Sequence, residues 1–558
     1  MLGNLPHHNL SRLARKYGSI MSMRLGFVPT IVVSSPEAAE LFLKTHDAVF
    51  ASRPKIQASE YLSYGRKGMA FAEYGPYWRN ARKLCTLELL TKVKIDSFAA
   101  MRKEELGVLV QSLKQMAAAR EVVNISKKVG ELIEDMTHRM LFGRCKDYQR
   151  ADLKALAQET LILLGAFNIA DYVPFLGALD LQGLKRRMKA ISGTIDHILE
   201  KIIDEHKQDA SDNQGNHKDF IDVMLSLMNE MESFHQEPSY LIEQENIKAI
   251  VWNIIIGTID TSASIIEWLL SELFRHPRVM RQLQEELENV IGMERMVEEI
   301  DLANLVYLDM VLKEGLRLHP VGPFLIPRES IEDVTLNGYY IPKKSRIIIN
   351  IWAIGRDPNL WSNNVEDFFP ERFISSNIDF QGKEFQFTPF GSGRRKCPGI
   401  QLGLLNIRLV LAQLVHCFDW ELPNGMLPSE LDMSEEFGLT MPRATHLHAL
   451  PTYRLLPKVN MTTGLANTTV NSTAYSDGQL AVYEIAQVLL SQGVLSPQAP
   501  ASAPLPPKSK KASPLNSHAP STSTTVSVDS CEATGLPHYA PIMVSIGVAV
   551  VAALPLCI

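Results

Sequence analysis

The sequence predicts a mainly α-helical domain with a small β region, followed by a largely disordered tail. Three observations carry that prediction. The longest helical run, Glu243–Arg275, is apolar nearly all round at Ile254-Ile-Ile256 and Ile265-Ile266, so it belongs at the centre of a helical core. Short strand signals are confined to a few places, chiefly residues 20–33 and 328–351. The chain changes character after Lys458, and from Ser496 it turns to Ala-Pro and Ser-Pro and then, over Ser509–Val528, to Ser/Thr-rich sequence, a composition that cannot bury a core.

Taken in order, Ile20–Leu25 and Thr30–Val33 pair around Gly26. Ser35-Pro36-Glu37 starts a helix with a capping serine, proline in the first turn and an acidic residue. The opening Met-Leu-Gly-Asn-Leu-Pro-His-His-Asn-Leu has neither signal-peptide nor transmembrane character, and residues 1 to about 30 already read as the inside of a domain. Tyr74–Arg82 opens a further helix on which Trp78 and Arg82, four apart, share a face. Residues 95–240 form several amphipathic helices, broken by a polar surface loop at Asp209–Lys218. At about 1.5 Å per residue, Glu243–Arg275 spans roughly 50 Å before His276-Pro277 closes it. Within it, Gly257-Thr-Ile-Asp-Thr-Ser262 puts small and polar groups into a buried helix; hydroxyls bonding back to the preceding turn are one explanation, a ligand the other.

Glu314 and Arg317, three apart on a helix ended by His319-Pro320, can pair. Asn337-Gly338 marks a hairpin, Arg346–Ile351 reads as a strand, and Trp352–Pro358 begins a helix-rich approach to residue 390.

The organising stretch is Phe390-Gly-Ser-Gly-Arg-Arg-Lys-Cys-Pro-Gly399. Its glycines allow tight turns, and its cations favour the thiolate of Cys397, the metal-binding form. Pro398 suits the first turn of a helix through Ile400–Val415, whose N-terminus favours negative charge beside Cys397. A buried structural cysteine is the alternative reading of the loop alone.

Phe-x-x-Gly-x-Arg-x-Cys-x-Gly resembles the haem-binding loop of the cytochromes P-450, with every fixed position filled. The resemblance implies the cytochrome P-450 fold over residues 1–457 and haem b (heme b, iron-protoporphyrin IX) with Cys397 as the iron ligand. It implies Phe390 against the thiolate side of the haem and Gly399 in the cradle, with Trp78, Arg82, Arg328 and Arg395 at the haem propionates. Gly257–Ser262 resembles the segment over the haem, where Asp260 and Thr261 would relay protons; Thr258 replaces the usual second glycine and crowds that side. Glu314, Arg317 and Arg372 of Phe369-Pro-Glu-Arg-Phe373 would form a structural network beneath the haem. Met441–His446 and Leu450–Leu455 resemble the family's closing hairpin, and the wording of these motifs is similar to the plant A-type clan that includes flavonoid hydroxylases. Members anchored in the membrane carry an anchor helix and a proline-rich hinge before the point where this sequence opens.

In the tail, 458–495 resembles the last strands of a fasciclin domain of plant arabinogalactan proteins, with sequons at Asn460, Asn467 and Asn471. Residues 496–540 read as a disordered, glycosylatable stalk, and 541–558 as a hydrophobic segment laid out like a GPI-anchor signal after Ser530, or a short tail anchor. The expectation is a cytochrome P-450 joined to the end of an unrelated cell-surface protein.

The expected function is monooxygenation of a small apolar or phenolic plant metabolite. Electrons would come from NADPH through NADPH-cytochrome P-450 reductase, at the cytosolic face of the endoplasmic reticulum membrane. Arg394 and Lys396 are candidates for docking the reductase. A haem-thiolate isomerase or dehydratase is opposed by Asp260-Thr261, and a non-enzymatic surface glycoprotein by the incomplete fasciclin stretch. A net charge of −6 gives no footprint for nucleic acid, and six scattered cysteines indicate neither a zinc site nor a disulfide framework.

Overall fold

The computed structural model describes residues 3–143, 153–209, 219–233, 243–362, 364–374, 376–456, 460–462, 467–476 and 481–485. The chain divides into two compact units, Met1–Leu455 and Leu456–Ile558. In the second, strands Asn460–Thr462, Asn467–Ser476 and Ala481–Ile485 form an antiparallel sheet. The stalk, the hydrophobic end and the expected loop at 210–218 lie outside the described residues.

The first unit is helical around one rod. The site-building helices are α1 (Pro76–Leu84), α2 (Ile125–Phe142), α3 (Leu153–Gly165), α4 (Gln244–Arg275), α5 (Val306–Leu318) and α6 (Ile400–Cys417). Helix α4 starts where Glu243 and Asn246 form a reciprocal capping box and stops at His276, because Pro277 opens the next helix. It packs on α2, α3, α5 and α6. Trp252, Ile255, Ile266, Trp268 and Leu270 are fully buried, which explains a helix apolar on every side. Helices α4 and α6 are long and apolar enough to cross a membrane, yet their most apolar windows are 78% buried, so core packing accounts for their composition.

The β region is a four-stranded sheet of β1 (Ile20–Leu25), β2 (Val28–Val33), β3 (Arg328–Glu329) and β4 (Arg346–Ile349), in the order β1-β2-β4-β3. Gly26, at φ +57°, turns β1 antiparallel onto β2, and β2 runs parallel to β4 from Thr30–Arg346 to Val33–Ile349. Ser35 caps the next helix by accepting from the Ala38 N–H. Asn337 and Gly338, both at positive φ, close the hairpin Val334–Leu336/Tyr339–Ile341.

Three expectations need correction. The helix after the cysteine is capped by Gly399, so Pro398 precedes it instead of occupying its first turn. Met441–His446 forms no strand; its one bridge joins Arg443 to Glu435. The strand His448–Tyr453 pairs instead with Phe418–Glu421 and Val123–Asn124. Finally, the apolar run at 346–351 divides, because Asn350 leaves the strand to cap a short helix, accepting from the Ala353 N–H.

Candidate haem site

The cysteine loop is folded by its own backbone. The Cys397 N–H donates to the Phe390 carbonyl at 2.9 Å, closing the loop so that the cysteine precedes α6. Gly391 and Gly393 both sit at φ +68°. At Gly393 no other residue fits, since a Cβ would lie 2.2 Å from the Leu43 carbonyl oxygen and 2.8 Å from the Asp47 carboxyl carbon. Phe390 packs edge-on against Phe380. Burial pushes the Cys397 thiol above its usual range, against the Gly399 N–H and the charges of Arg82 and Lys396. This corrects the expectation that the neighbouring cations would prevail: desolvation is the larger effect.

Arginines converge behind this loop from four parts of the chain. Arg395 donates to the carbonyls of Ala51 (2.7 Å), Ala72 (2.6 Å) and Met69 (3.4 Å), and its guanidinium lies 4.2 Å from the centre of the Trp78 ring. Trp78 is buried on α1 and spends its indole N–H on the Met69 carbonyl at 3.2 Å. Its ring face supports Arg395. Arg82, one turn on, donates to the Lys396 carbonyl at 2.7 Å, tying α1 to the cysteine loop. Arg328, 4% exposed on β3, donates to Asp47 Oδ1 and to the Ser392 carbonyl, both at 2.8 Å.

The sequence reading missed a fourth arginine. Arg53, also buried, donates to the carbonyls of Ala70 and Pro327 at 3.0 and 2.9 Å, and to Ile326. The signal was available in Phe50-Ala-Ser-Arg-Pro54, an arginine set among small and apolar residues.

This donor set fits an anionic ligand. Among the described residues, Arg53, Arg82 and Arg395 have no carboxylate partner, and Arg328 has Asp47. Burial, then mutual repulsion with Arg328 and Arg82, pulls Arg395 down to about 9; burial and repulsion from Arg395 and Arg328 pull Arg53 well down too. Buried charge left unpaired is costly, and two carboxylates would relieve it. Haem b carries two propionates, and the one cysteine of the loop stands beside the cluster.

On α4, Gly257 is exposed although the helix around it is buried, and a Cβ there would meet open space. Thr258 and Thr261 are half-buried on the same stretch, so the position where the resemblance implies a second glycine carries a side chain beside that open space. The structure separates the two residues expected to act as a pair. Thr261 Oγ1 donates back to the Gly257 carbonyl at 2.7 Å. Asp260 is 6% exposed and accepts from Thr440 Oγ1 at 2.7 Å and from Gln158 on α3. Burial raises its carboxyl, partly offset by Thr440, Gln158 and Lys154. Consecutive helical residues do not face one another, which is why the pair points to different surroundings.

The structural network is formed as expected. Glu314 accepts from Arg317 at 2.7 and 2.8 Å, from Arg372 at 2.8 Å and from the Phe369 N–H at 2.9 Å, and both Glu314 and Arg317 are essentially fully buried.

Known proteins are similar to this chain over most of its length. The family model Cytochrome P450 matches residues 1–448. The chain is 61% identical over 454 residues to Cytochrome P450 CYP736A12 of Panax ginseng, covering 81% of this chain and 90% of that one. It is 38% identical over 466 residues to Flavonoid 3'-monooxygenase of Petunia hybrida, covering 81% and 89%. A solved zebra fish cytochrome P450, crystallised with abiraterone, aligns with a TM-score of 0.67 at 25% identity, covering 81% of this chain and all of that one. The chain belongs to the cytochrome P450 family, haem-thiolate monooxygenases, over its first 448 residues.

Proposed function

We propose that this monooxygenase hydroxylates a small apolar or phenolic plant specialised metabolite, using O2 and electrons from NADPH delivered through NADPH-cytochrome P-450 reductase. The single observation that carries the reading is the excess of buried arginines gathered behind the Cys397 loop. Cys397 would hold the iron, and Arg82, Arg328 and Arg395 would hold the propionates. Haem b, when bound, supplies the activation of dioxygen by two electrons, one oxygen atom entering the substrate and the other leaving as water.

The chain's own residues bring protons and exclude water. Asp260, with its raised carboxyl, holds a proton more readily than an exposed aspartate. Thr261 presents its hydroxyl on the open side of α4, next to Gly257. Thr258 crowds that side of α4 with a half-buried side chain. On the opposite surface, half-exposed Arg394 and the ammonium of Lys396, 2.7 Å from Gln381, offer charge to an acidic reductase face. The location in keeping with the family is the cytosolic face of the endoplasmic reticulum membrane. We take the tail as a passenger of cell-surface origin.

The test is reconstitution with a plant reductase, NADPH and a panel of phenolic and terpenoid substrates under 18O2. The reading expects a product carrying one labelled oxygen, with turnover falling on the order of 10²-fold in Asp260→Asn. Product formation without label incorporation, or without need of reductase, would point to isomerase or dehydratase chemistry instead.

A further inference from the structure

Asp47 is the residue of this site that no motif announces. It follows the π-helical turn Leu41–Thr45 and is 4% exposed. Its Oδ1 accepts from Arg328 Nη1 at 2.8 Å. Its Oδ2 accepts from the Arg394 backbone N–H at 2.8 Å and from Arg394 Nη1 at 3.1 Å. One carboxylate thus binds the backbone of the cysteine loop, an arginine within that loop and an arginine of β3, across 347 positions of sequence. Arg328 completes the ring by donating to the Ser392 carbonyl at 2.8 Å.

The approach is close because Gly393 permits it. A Cβ at that position would collide with Leu43 and with Asp47 itself, so the loop can be drawn onto the carboxylate only with glycine there. Asp47 also acts beyond its direct partners. Its charge supports Arg395, which Arg328 and Arg82 repel, and Arg53 in turn feels both Arg395 and Arg328.

We propose that Asp47 is the resident counter-ion and positioning residue of the haem site. It anchors the loop carrying Cys397 and leaves Arg53, Arg82 and Arg395 without a carboxylate partner, an excess of positive charge that the two propionates would reduce. The inference rests on the reading of Cys397 as haem ligand. Losing the carboxylate has two separable effects. The loop loses its anchor, so the thiolate is held less firmly. The cluster gains positive charge, which favours the reduced, less positive iron.

The experiment compares the full chain with Asp47→Asn and Asp47→Glu, reading haem per polypeptide, decay of the 450 nm band to 420 nm in the reduced carbon monoxide complex, and the haem reduction potential. Asp47→Asn is expected to hold less haem, to lose its 450 nm band several-fold faster and to have a more positive potential. Asp47→Glu keeps the charge and is expected to keep the potential while the longer side chain still speeds band decay. A wild-type potential and wild-type decay in Asp47→Asn would overturn the proposal, as would an equal potential shift in the two variants. If Asp47→Asn retains no haem, Asp47→Glu decides: haem retained supports the need for the charge, and equal loss overturns it. Absence of a 450 nm band from the wild-type chain would defeat the reading of Cys397 rather than the role of Asp47.

Discussion

Glu314 carries two arginines and a backbone N–H on two oxygens with no access to water. Such a group is stable only while all its partners stay. Arg372→Ala removes one of them, and Arg372 also donates to the Trp361 carbonyl at 2.7 Å, so a loss of about 3–5 kcal/mol in unfolding free energy is expected by denaturant titration. Glu314→Gln should cost as much, because Arg317 then lies buried without its counter-charge. At this scale the sequence was legible where a motif names residue types at fixed spacing, as at Glu314, Arg317 and Arg372. It was opaque where the partner comes from far away. Asp47, Arg53, Gln158 and Thr440 meet the site only through folding, and the resting partners of Asp260 and Thr261 are set the same way.

At the scale of elements, the cysteine loop and α1 are tied by the Arg82 donation to the Lys396 carbonyl and by Arg395 against the Trp78 ring, and glycine decides whether the loop can close. Gly393→Ala combines a positive φ with a Cβ 2.2 Å from a backbone oxygen, so it should abolish haem incorporation, whereas Gly403→Ala on α6, where a Cβ meets open space, should leave it intact. Haem content per polypeptide distinguishes the two. Local signals fixed the strand pair around Gly26, the Ser35 cap, the Asn337-Gly338 turn and the ends of α4. They failed at Pro398 and at Met441–His446. In the first, the helix opens where the Gly399 carbonyl accepts from the Gly403 N–H at 2.8 Å, one residue past the proline. In the second, Met441 and Arg443 are held by α4: the Met441 carbonyl accepts from Trp268 at 2.9 Å and Arg443 donates to Ser271.

At the scale of the whole molecule, the hydrophobic core runs through Leu455, the end of the first compact unit. A chain shortened to residues 1–456 should therefore retain the haem content and melting temperature of the haem unit. The acid–base balance of that unit has one clear handle at the end of the long helix Leu184–Asp209. Burial lowers His206, but Asp219 at 3.0 Å and the Ile202 carbonyl at 2.7 Å prevail and raise it to about 9. Its folded value exceeds the unfolded one, so the stabilisation is full below pH 6.5 and is lost as pH rises to about 9. The melting temperature should fall over that interval in the wild type and fall less in Asp219→Asn.

The central claim is that Cys397 ligates haem in a monooxygenase, and its most direct test is the reduced carbon monoxide difference spectrum of the full chain beside Cys397→Ala. The account predicts a thiolate-type Soret band near 450 nm in the wild type and its absence in the variant, with both proteins folded by circular dichroism. A folded wild type without that band, or a variant that retains it, would contradict the account.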